Sequence, residues 1–424
     1  MTEALDRAVE AHAPRAFDFL EELVTAPSVV GWEQGALDAF AREAESLGLV
    51  VERLTFPNGP MRDPRAGVTQ SGVELSDDRF QVLARTPGEG ELTLLLNGHI
   101  DVVPASTPEL WASPPFEPAR RDGRMYGRGT ADMKGGFAIG TLALRALRAT
   151  HPDLFSARRL GFLAVIEEEC TGNGALRAVT EHGVIAPEVV LLEPTDLGLM
   201  VGGVGVLWVD IHVVASAAHA HEAHVHVNAV DLGMRLVTAL RAWSDRVNAS
   251  EPEPSMTAGA SAYNVNLGNV HAGDWTSSSP ASAVLGVRVG FPRAWTVEQA
   301  EQEVRRVIET AVADDPDFPR QPDVEPSGLR APGYLLDVNS RLVTDLSAAH
   351  QEAHGVLPEA FTLGSTTDAR TYLNHFGVPA VCFGAVAHDM HGIDESVELQ
   401  SIIDGARTLA RFLLMRFDEG RGGA

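Results

Sequence analysis

Hydrophobic and polar positions follow a strand-and-helix pattern along the first half of the chain, up to about residue 205. A predicted helix, MKGGFAIGTLALRALRA (133–149), begins near Asp132. Three short apolar runs predict buried strands, and these are LTLLL (92–96), RRLGFLAVI (158–166) and EVVLLE (188–193). Strands that alternate with helices in this way favour a largely wound α/β sheet.

The pattern then changes. The run VLWVDIHVV (206–214) alternates, with Val209, Ile211 and Val213 on one face, as expected for an antiparallel strand with one exposed face. The elements predicted after it are a helix (228–248), two strand-like runs (262–270 and 281–291) and a second helix (296–313). This β-α-β-β-α order indicates a separate α+β module, and residues 314–333 are interpreted as the connection that leads out of it.

Helix–strand alternation resumes beyond about residue 329. The economical interpretation is one α/β domain interrupted by an inserted module. We therefore predict a first catalytic part (1–205), the inserted module (206–328) and a second catalytic part (329–424), a length compatible with two or three domains.

Composition excludes several classes of protein. The net charge of −25, from 58 acidic and 33 basic residues, argues against nucleic acid as a partner. The longest apolar runs fall far short of a membrane span. The N-terminal stretch predicts an amphipathic helix of mixed charge and lacks the pattern of a signal peptide. Two cysteines, Cys170 and Cys382, are too few for a disulfide framework, so we expect a cytoplasmic protein.

Metal-ligand residue types stand at the end of several predicted strands. In the first, NGHIDVVP, positions i and i+2 share a face, so His99 and Asp101 lie side by side. They would be a metal ligand with its orienting carboxylate, or a structural His–Asp hydrogen bond. Comparable positions in four other stretches are Asp132, Glu167 to Glu169, Glu193, and the histidines His388 and His391. Three consecutive acidic residues are costly to bury unpaired, and a divalent cation would remove that cost.

Taken together, the motifs resemble the acetylornithine deacetylase / succinyl-diaminopimelate desuccinylase / carboxypeptidase G family of dinuclear metallohydrolases. The matching stretches occur in family order over nearly the whole chain, and they are NGHIDVVP, GRGTADMKGG, EEECTGNGA, LLEPTD, GSTTDAR and MHGIDE. The resemblance implies a three-layer αβα, zinc-peptidase-like catalytic domain. It also implies that the inserted module is a ferredoxin-like dimerisation or lid domain.

The resemblance also implies two divalent metal ions, with zinc favoured and cobalt or manganese as alternatives. His99, Asp132 and Glu193 would hold one ion. Asp132 would bridge to the second ion, which Glu169 and His391 would also bind.

Three further residues near the metal ligands are given roles or weighed as alternatives. The resemblance implies that Glu168 is the general acid and base, and that Asp101 fixes the tautomer and orientation of His99. His388 is the alternative ligand to His391. His391 is preferred because it precedes Gly392-Ile393-Asp394-Glu395, the His-x-x-Asp-Glu pattern of the family.

In the module, SAAHAHEAHVHVNA (216–229) contains four histidines. The family resemblance implies a homodimer in which one module histidine reaches the active site of the partner. His219 matches the family spacing to Asn228-Ala229, although neighbouring positions depart from the family pattern. The alternative is a solvated histidine-rich loop, and His221, His224 and His226 have no assigned role.

Substrate recognition departs from the family as well. Gly290 stands where many members have an arginine that binds the substrate carboxylate, so Arg288 and Arg370 are the candidates to replace it. The sequence therefore predicts a metal-dependent amidohydrolase that removes the acyl group of a small N-acylated amino acid or amine. The alternatives are a dipeptidase or carboxypeptidase, a deformylase or deacylase of another kind of amide, and a catalytically silent binding protein.

Overall fold

The computed structural model describes residues 2–56, 61–69, 78–157, 159–256 and 261–418. Its helices are α1 (Thr2–Thr25), α2 (Gln34–Ser46), α3 (Gly135–Thr150), α4 (Pro152–Ala157), α5 (Asn173–Thr180), α6 (Ala229–Ser250), α7 (Val297–Val312), α8 (Arg341–His354) and α9 (Leu399–Asp418). Its strands are β1 (Val50–Thr55), β2 (Phe80–Arg85), β3 (Leu94–His99), β4 (Ala119–Arg121), β5 (Arg124–Tyr126), β6 (Leu160–Val165), β7 (Val189–Leu191), β8 (Leu199–Gly203), β9 (Gly205–Val214), β10 (Val265–Ala272), β11 (Ser282–Phe291), β12 (Asp323–Ala331), β13 (Tyr334–Leu335), β14 (Ala360–Leu363), β15 (Ala380–Cys382), β16 (Ala387–His388) and β17 (Ser396–Glu398).

The main sheet of the catalytic domain has the strand order β1-β2-β6-β3-β7-β15-β8-β13, and β14 also pairs with β8. Its centre is parallel, because β3 pairs in parallel with both β6 and β7. Leu94 and Leu96 pack into the core on one face, and Leu95 packs into the core on the other. Burial on both faces explains why these strands read as continuous apolar runs.

Helices cover both faces of this sheet. Residues of α1, α2, α3, α8 and α9 share the larger core with one face, and residues of α5 share a second core with the other. The larger core contains an aromatic cluster in which the rings of Phe40 and Phe162 lie 5.0 Å apart, edge to face. The fold is therefore the predicted α/β architecture with three αβα layers. No helix in the described parts of the chain combines the length and apolar character needed to cross a bilayer.

The inserted module is an antiparallel sheet of order β10-β11-β9-β12 that shares its own core with α6 and α7. Val209, Ile211 and Val213 are buried there, while the residues between them are half-exposed, as the alternation predicts. The chain order β9-α6-β10-β11-α7-β12 is that of a ferredoxin-like unit.

Strand β12 lies within residues 314–333, where the sequence predicts only a connection. Pro326 and Gly328 interrupt its apolar pattern, and its pairing with β9 is irregular between Pro326 and Arg330. Proline and bulges are tolerated at a sheet edge, and β12 is an edge strand of the module.

A third, small sheet has the order β16-β17-β5-β4. Strand β17 pairs with β5, so residues 124–126 lie against residues 396–398. This pairing brings the loop that contains His391 next to the turn that contains Asp132.

Candidate active site

The predicted ligands converge because their strands are neighbours in the main sheet. His99 is the last residue of β3, Glu169 follows β6, and Glu193 follows β7. The order β6-β3-β7 is parallel, so the carboxyl ends of these strands meet at one edge of the sheet. Asp132 lies in the turn before α3, and His391 lies in the loop between β16 and β17.

Asp132 is shared between two groups of side chains. Its Oδ1 atom lies 3.0 Å from Nε2 of His99, and its Oδ2 atom lies 3.3 Å from Nε2 of His391. Glu193 Oε2 is 3.6 Å from the same nitrogen of His99. Glu169 Oε1 is 3.2 Å from Nε2 of His391. Each oxygen of Asp132 thus faces one histidine, as in a carboxylate that bridges two ions.

These donors fit divalent metal ions. Ligand atoms of His99, Asp132 and Glu169 all lie within 4.8 Å of one another. Imidazole nitrogens with carboxylate oxygens suit zinc and related transition metals. The remaining predicted ligands, Glu193 and His391, flank this group on either side, so the residues suffice for two neighbouring ions.

The pKa values show how strongly the cluster attracts positive charge. Burial lowers the pKa of His391, but hydrogen bonds with Asp132 and Glu169 outweigh it and raise that pKa to about 11. Burial likewise opposes protonation of His99, yet Glu193 and Asp132 raise its pKa well above the ordinary value. In the metal-free cluster, the surrounding carboxylates therefore favour the protonated form of both histidines.

Glu167, the first of the three acidic residues after β6, does not contact the proposed metal ligands. Its carboxylate accepts hydrogen bonds from Arg79 and from Thr171 Oγ1, and Arg79 also binds Glu33 at 2.6 Å. The cost of burying Glu167 is therefore offset by a guanidinium and a hydroxyl, and a metal ion is not needed for it.

Glu168 lies in the cleft and outside the contacts around Asp132. It lines the cleft together with Glu169 and His391. Burial raises its pKa well above the ordinary value for a glutamate. Its Oε1 atom is 3.9 Å from Nη1 of Arg370, which is a long contact. The side chain is thus positioned to exchange a proton with a group in the cleft.

Asp101 contacts His99 through its backbone carbonyl group, whereas the sequence predicts a contact through its carboxylate. Nδ1 of His99 lies 2.9 Å from the backbone carbonyl oxygen of Asp101, whereas the nearer carboxylate oxygen is 3.9 Å away. The carboxylate instead accepts the backbone N–H groups of Glu168 and Glu169, at 3.3 and 3.2 Å. Burial raises the pKa of Asp101 to about 8. Its main-chain oxygen orients the ring, and its side chain fixes the Glu168–Glu169 turn.

A buried ion pair between Arg128 and Glu395, which no local sequence pattern reveals, supports Asp132 and His391. Glu395 pairs with Arg128, and Glu395 Oε1 accepts the N–H groups of Ala131 and Asp132 at 3.0 and 3.1 Å. Arg128 Nη2 donates to the carbonyl of Gly392 at 3.0 Å, next to His391. Burial raises the pKa of Glu395, and Arg128 opposes it. With a guanidinium and two N–H donors facing it, we treat Glu395 as a carboxylate.

The alternative ligand, His388, has a different partner. Its Nε2 atom lies 2.9 Å from Oε1 of Glu398, on the adjacent strand β17. His391, in contrast, contacts Asp132 and Glu169. The geometry therefore favours His391 over His388 as the candidate ligand.

The two candidate arginines occupy different environments. Arg288, on β11, lines a cleft of about 1070 Å³ between the module and the metal cluster. Arg370 is buried, donates to the carbonyl of Thr367 at 2.7 Å, and is not among the residues that line this cleft. Near Arg370 lies Asp368, whose two carboxylate oxygens are buried without a hydrogen-bond partner in the described structure. Burial raises the pKa of Asp368 to about 6.

His219 lies in the exposed histidine-rich loop of the module and does not line the cleft. Its Nδ1 atom is 2.8 Å from Nδ1 of His221. Within this chain it therefore stays apart from the metal cluster.

A family model described as "Peptidase family M20/M25/M40" matches residues 95–415. A succinyl-diaminopimelate desuccinylase of Methylobacterium radiotolerans is 30% identical over 404 residues, covering 92% of this chain and 94% of its own. A solved structure of the di-peptidase Dug1p from Saccharomyces cerevisiae has a TM-score of 0.78 at 14% identity and covers 99% of each chain. A Bacillus subtilis protein described as a dinuclear metal-binding peptidase of the M20 family has a TM-score of 0.60 at 15% identity, covering 96% and 99%.

Both structural likenesses concern the fold, whereas the family model and the curated relative span most of the sequence. The family model covers the segments that contain His99, Asp132, Glu169, Glu193 and His391. This chain belongs to peptidase family M20/M25/M40 and is a metal-dependent hydrolase that acts on amide bonds.

Proposed function

We propose that the enzyme removes the acyl group from a small N-acylated amino acid or amine, and that Glu168 is its general acid and base. The observation that carries this proposal is the position of Glu168, which lines the cleft beside Glu169 and His391 without joining the contacts of Asp132. Amide hydrolysis requires proton transfer from water to the leaving nitrogen, and a positioned carboxylate can carry it out. The desuccinylase relatives support deacylation, since their name describes the removal of an acyl group.

In the proposed reaction, water adds to the amide carbonyl carbon and the C–N bond breaks, which yields a carboxylic acid and an amine. Glu168 accepts a proton from the water and delivers it to the leaving nitrogen. Its raised pKa strengthens it as a base. Two divalent ions, when bound, would polarise the carbonyl group and lower the pKa of the attacking water.

We propose that the first ion is held by His99, Asp132 and Glu193, and the second by Asp132, Glu169 and His391. Zinc suits this mixture of imidazole and carboxylate donors, with cobalt and manganese as alternatives. The support is the sharing of Asp132 between the two histidines, at 3.0 and 3.3 Å.

The test replaces Glu168 with glutamine, which preserves the shape of the side chain and removes its basicity. We expect kcat to fall by at least about 100-fold, the usual scale of general acid–base catalysis, while elemental analysis still finds two metal ions per chain. The matched control is Glu398→Gln, whose carboxylate contacts His388 outside the cluster. Turnover at the wild-type rate in Glu168→Gln would contradict the role of this residue.

We also propose a homodimer formed through the module, in which His219 acts in the active site of the partner. Two observations support this. His219 is exposed and does not line the cleft of its own chain, and strand β10 is an exposed edge of the module sheet. Unpaired edges favour association with another chain. Light scattering provides the test, because a fully active monomer would refute an essential role of His219 in trans.

A dipeptidase is the second candidate, favoured by the fold likeness to a di-peptidase. Hydrolysis rates of N-acyl amino acids and of dipeptides by the metal-loaded enzyme separate the two proposals, and a chelator control shows whether the activity depends on metal.

We propose a cytoplasmic location because both cysteines are free thiols.

A further inference from the structure

The cleft contains a single permanently cationic side chain among its described lining residues. Arg288 is that residue, and it donates hydrogen bonds to the carbonyl of Gly364 and to Ser365 Oγ, at 3.2 and 3.1 Å. Both partners are uncharged. Burial lowers the pKa of Arg288, and no charged group of the described structure offsets that cost. Arg288 therefore has its charge available for one carboxylate of the substrate.

No other guanidinium or ammonium group of the described residues reaches the cleft. Arg370 is turned to Thr367 and Glu168 instead. Outside the described residues, the sequence contains two basic residues, Arg158 and Arg421. Arg288 thus suits one carboxylate of a substrate, whereas Glu168, Glu169 and Asp210, which also line the cleft, disfavour a second.

The side of the cleft next to the metal cluster is an apolar wall, formed by Val29, Val30, Trp32, Val103 and Pro104. Two segments build it. They are joined by a parallel bridge between Val29 and Val102, and by the N–H of Val102, which donates to Ser28 O at 3.0 Å. The second segment continues directly from Asp101, so the wall begins beside the cluster.

The first segment of the wall is fixed from behind. Glu33 accepts a hydrogen bond from Gly31 N at 3.0 Å and pairs with Arg79, which also binds Glu167. The wall is therefore tied to the turn that contains the proposed catalytic Glu168. Trp32 presents its ring to solvent, with 77% of the residue exposed. An exposed tryptophan beside valines offers a surface that a ligand can cover.

From the single cation and the apolar wall, we infer that the natural acyl group is apolar, and that the enzyme discriminates against succinyl and other anionic acyl groups. The inference rests on the proposed function, in which Arg288 binds the carboxylate of the amino acid part. The acyl group then lies on the wall, where no described side chain would neutralise a second carboxylate. In this respect the enzyme differs from the desuccinylases to which its sequence is related.

The test compares N-acetyl-, N-propionyl-, N-pentanoyl- and N-succinyl-alanine as substrates of the zinc-loaded full-length enzyme. We expect kcat/KM to rise by up to about fourfold for each added methylene, the value of full burial of such a group. N-succinyl-alanine, similar in length to the pentanoyl substrate, should be cleaved about 10-fold to 100-fold less efficiently, because its second carboxylate is desolvated without a partner.

A substitution in the wall provides a second, independent readout. Val103→Lys should lower kcat/KM for the pentanoyl substrate by about 10-fold and raise it for the succinyl substrate, so that the order of preference reverses. Val338→Lys is the matched control, because Val338 is 49% exposed and does not line the cleft. The control should preserve the order of the wild type. Activity of Val103→Lys towards the acetyl substrate shows that the variant is folded.

The outcomes separate this inference from the proposed function. A wild-type preference for N-succinyl-alanine would overturn the inference and leave the deacylase proposal intact. An unchanged preference in Val103→Lys would also overturn it. Failure to cleave any N-acyl-alanine, together with cleavage of dipeptides, would overturn the deacylase proposal itself.

Discussion

Replacing Glu395 with glutamine tests whether one buried ion pair organises both sides of the metal cluster. The Glu395 carboxylate is completely buried, and Arg128 is 3% exposed. A glutamine keeps the size of the side chain and an oxygen that can accept the N–H groups of Ala131 and Asp132. What it removes is the negative charge opposite Arg128, so the guanidinium remains buried without compensation.

Breaking a buried ion pair by removing one partner costs about 3–5 kcal/mol. We therefore expect Glu395→Gln to lower the stability of the metal-free protein by that amount, seen as a lower urea midpoint. The control is Glu398→Gln, three residues along the chain. Glu398 is 38% exposed and lies 3.6 Å from Arg124, so its loss should cost about 0–1 kcal/mol.

A second measurement distinguishes general instability from loss of the site. Arg128 donates to Gly392 beside His391, and Glu395 binds the backbone of Asp132. Calorimetric titration of folded, metal-free Glu395→Gln with zinc should therefore show weakened binding at the ion shared by Asp132 and His391. A urea midpoint and zinc affinity equal to those of Glu398→Gln would refute this account of the pair.

Two further predictions concern protons and packing. In the metal-free cluster, the pKa of His391 is about 11 and that of His99 is well above its ordinary value. Metal binding at pH 7 should therefore release protons from these histidines. The number of protons released can be measured by calorimetry in buffers that differ in ionisation enthalpy. Binding without proton release would contradict the charge state that we assign. Gly174→Ala should destabilise the protein strongly, since its Cβ would lie 1.9 Å from the carbonyl oxygen of Ile166. Gly35→Ala, whose Cβ would meet its nearest neighbour at 3.4 Å, is the control, and similar melting temperatures for the two variants would refute the argument.

Much of the architecture follows from periodicity alone. The central strands are buried on both faces and therefore appear in the sequence as continuous apolar runs. The alternation of apolar and polar residues predicts β9. Because parallel strands end at one edge, ligand residues after β3, β6 and β7 were predictable as neighbours. The edge strand β12 was missed because Pro326 disrupts the signal on which such a prediction depends.

Contacts between residues far apart in the chain could not be predicted from the sequence. Arg128 and Glu395 both occur within motifs that the sequence analysis identified, yet they are 267 residues apart, and no local pattern pairs them. The pairing of Glu167 with Arg79 spans 88 residues. Likewise, spacing placed Asp101 beside His99, but it could not reveal that the backbone carbonyl is the nearer partner.

The position of β15 has a consequence for biosynthesis. This strand lies between β7 and β8, and it is the last strand of the chain to enter the main sheet. Until residues 380–382 leave the ribosome, β7 keeps an unpaired edge, and unpaired edges promote association with other chains. The module is contiguous in sequence and its sheet is complete at residue 331, so it has all its own partners much earlier. The nascent chain therefore carries a finished module on a catalytic sheet that stays incomplete until β15 is added.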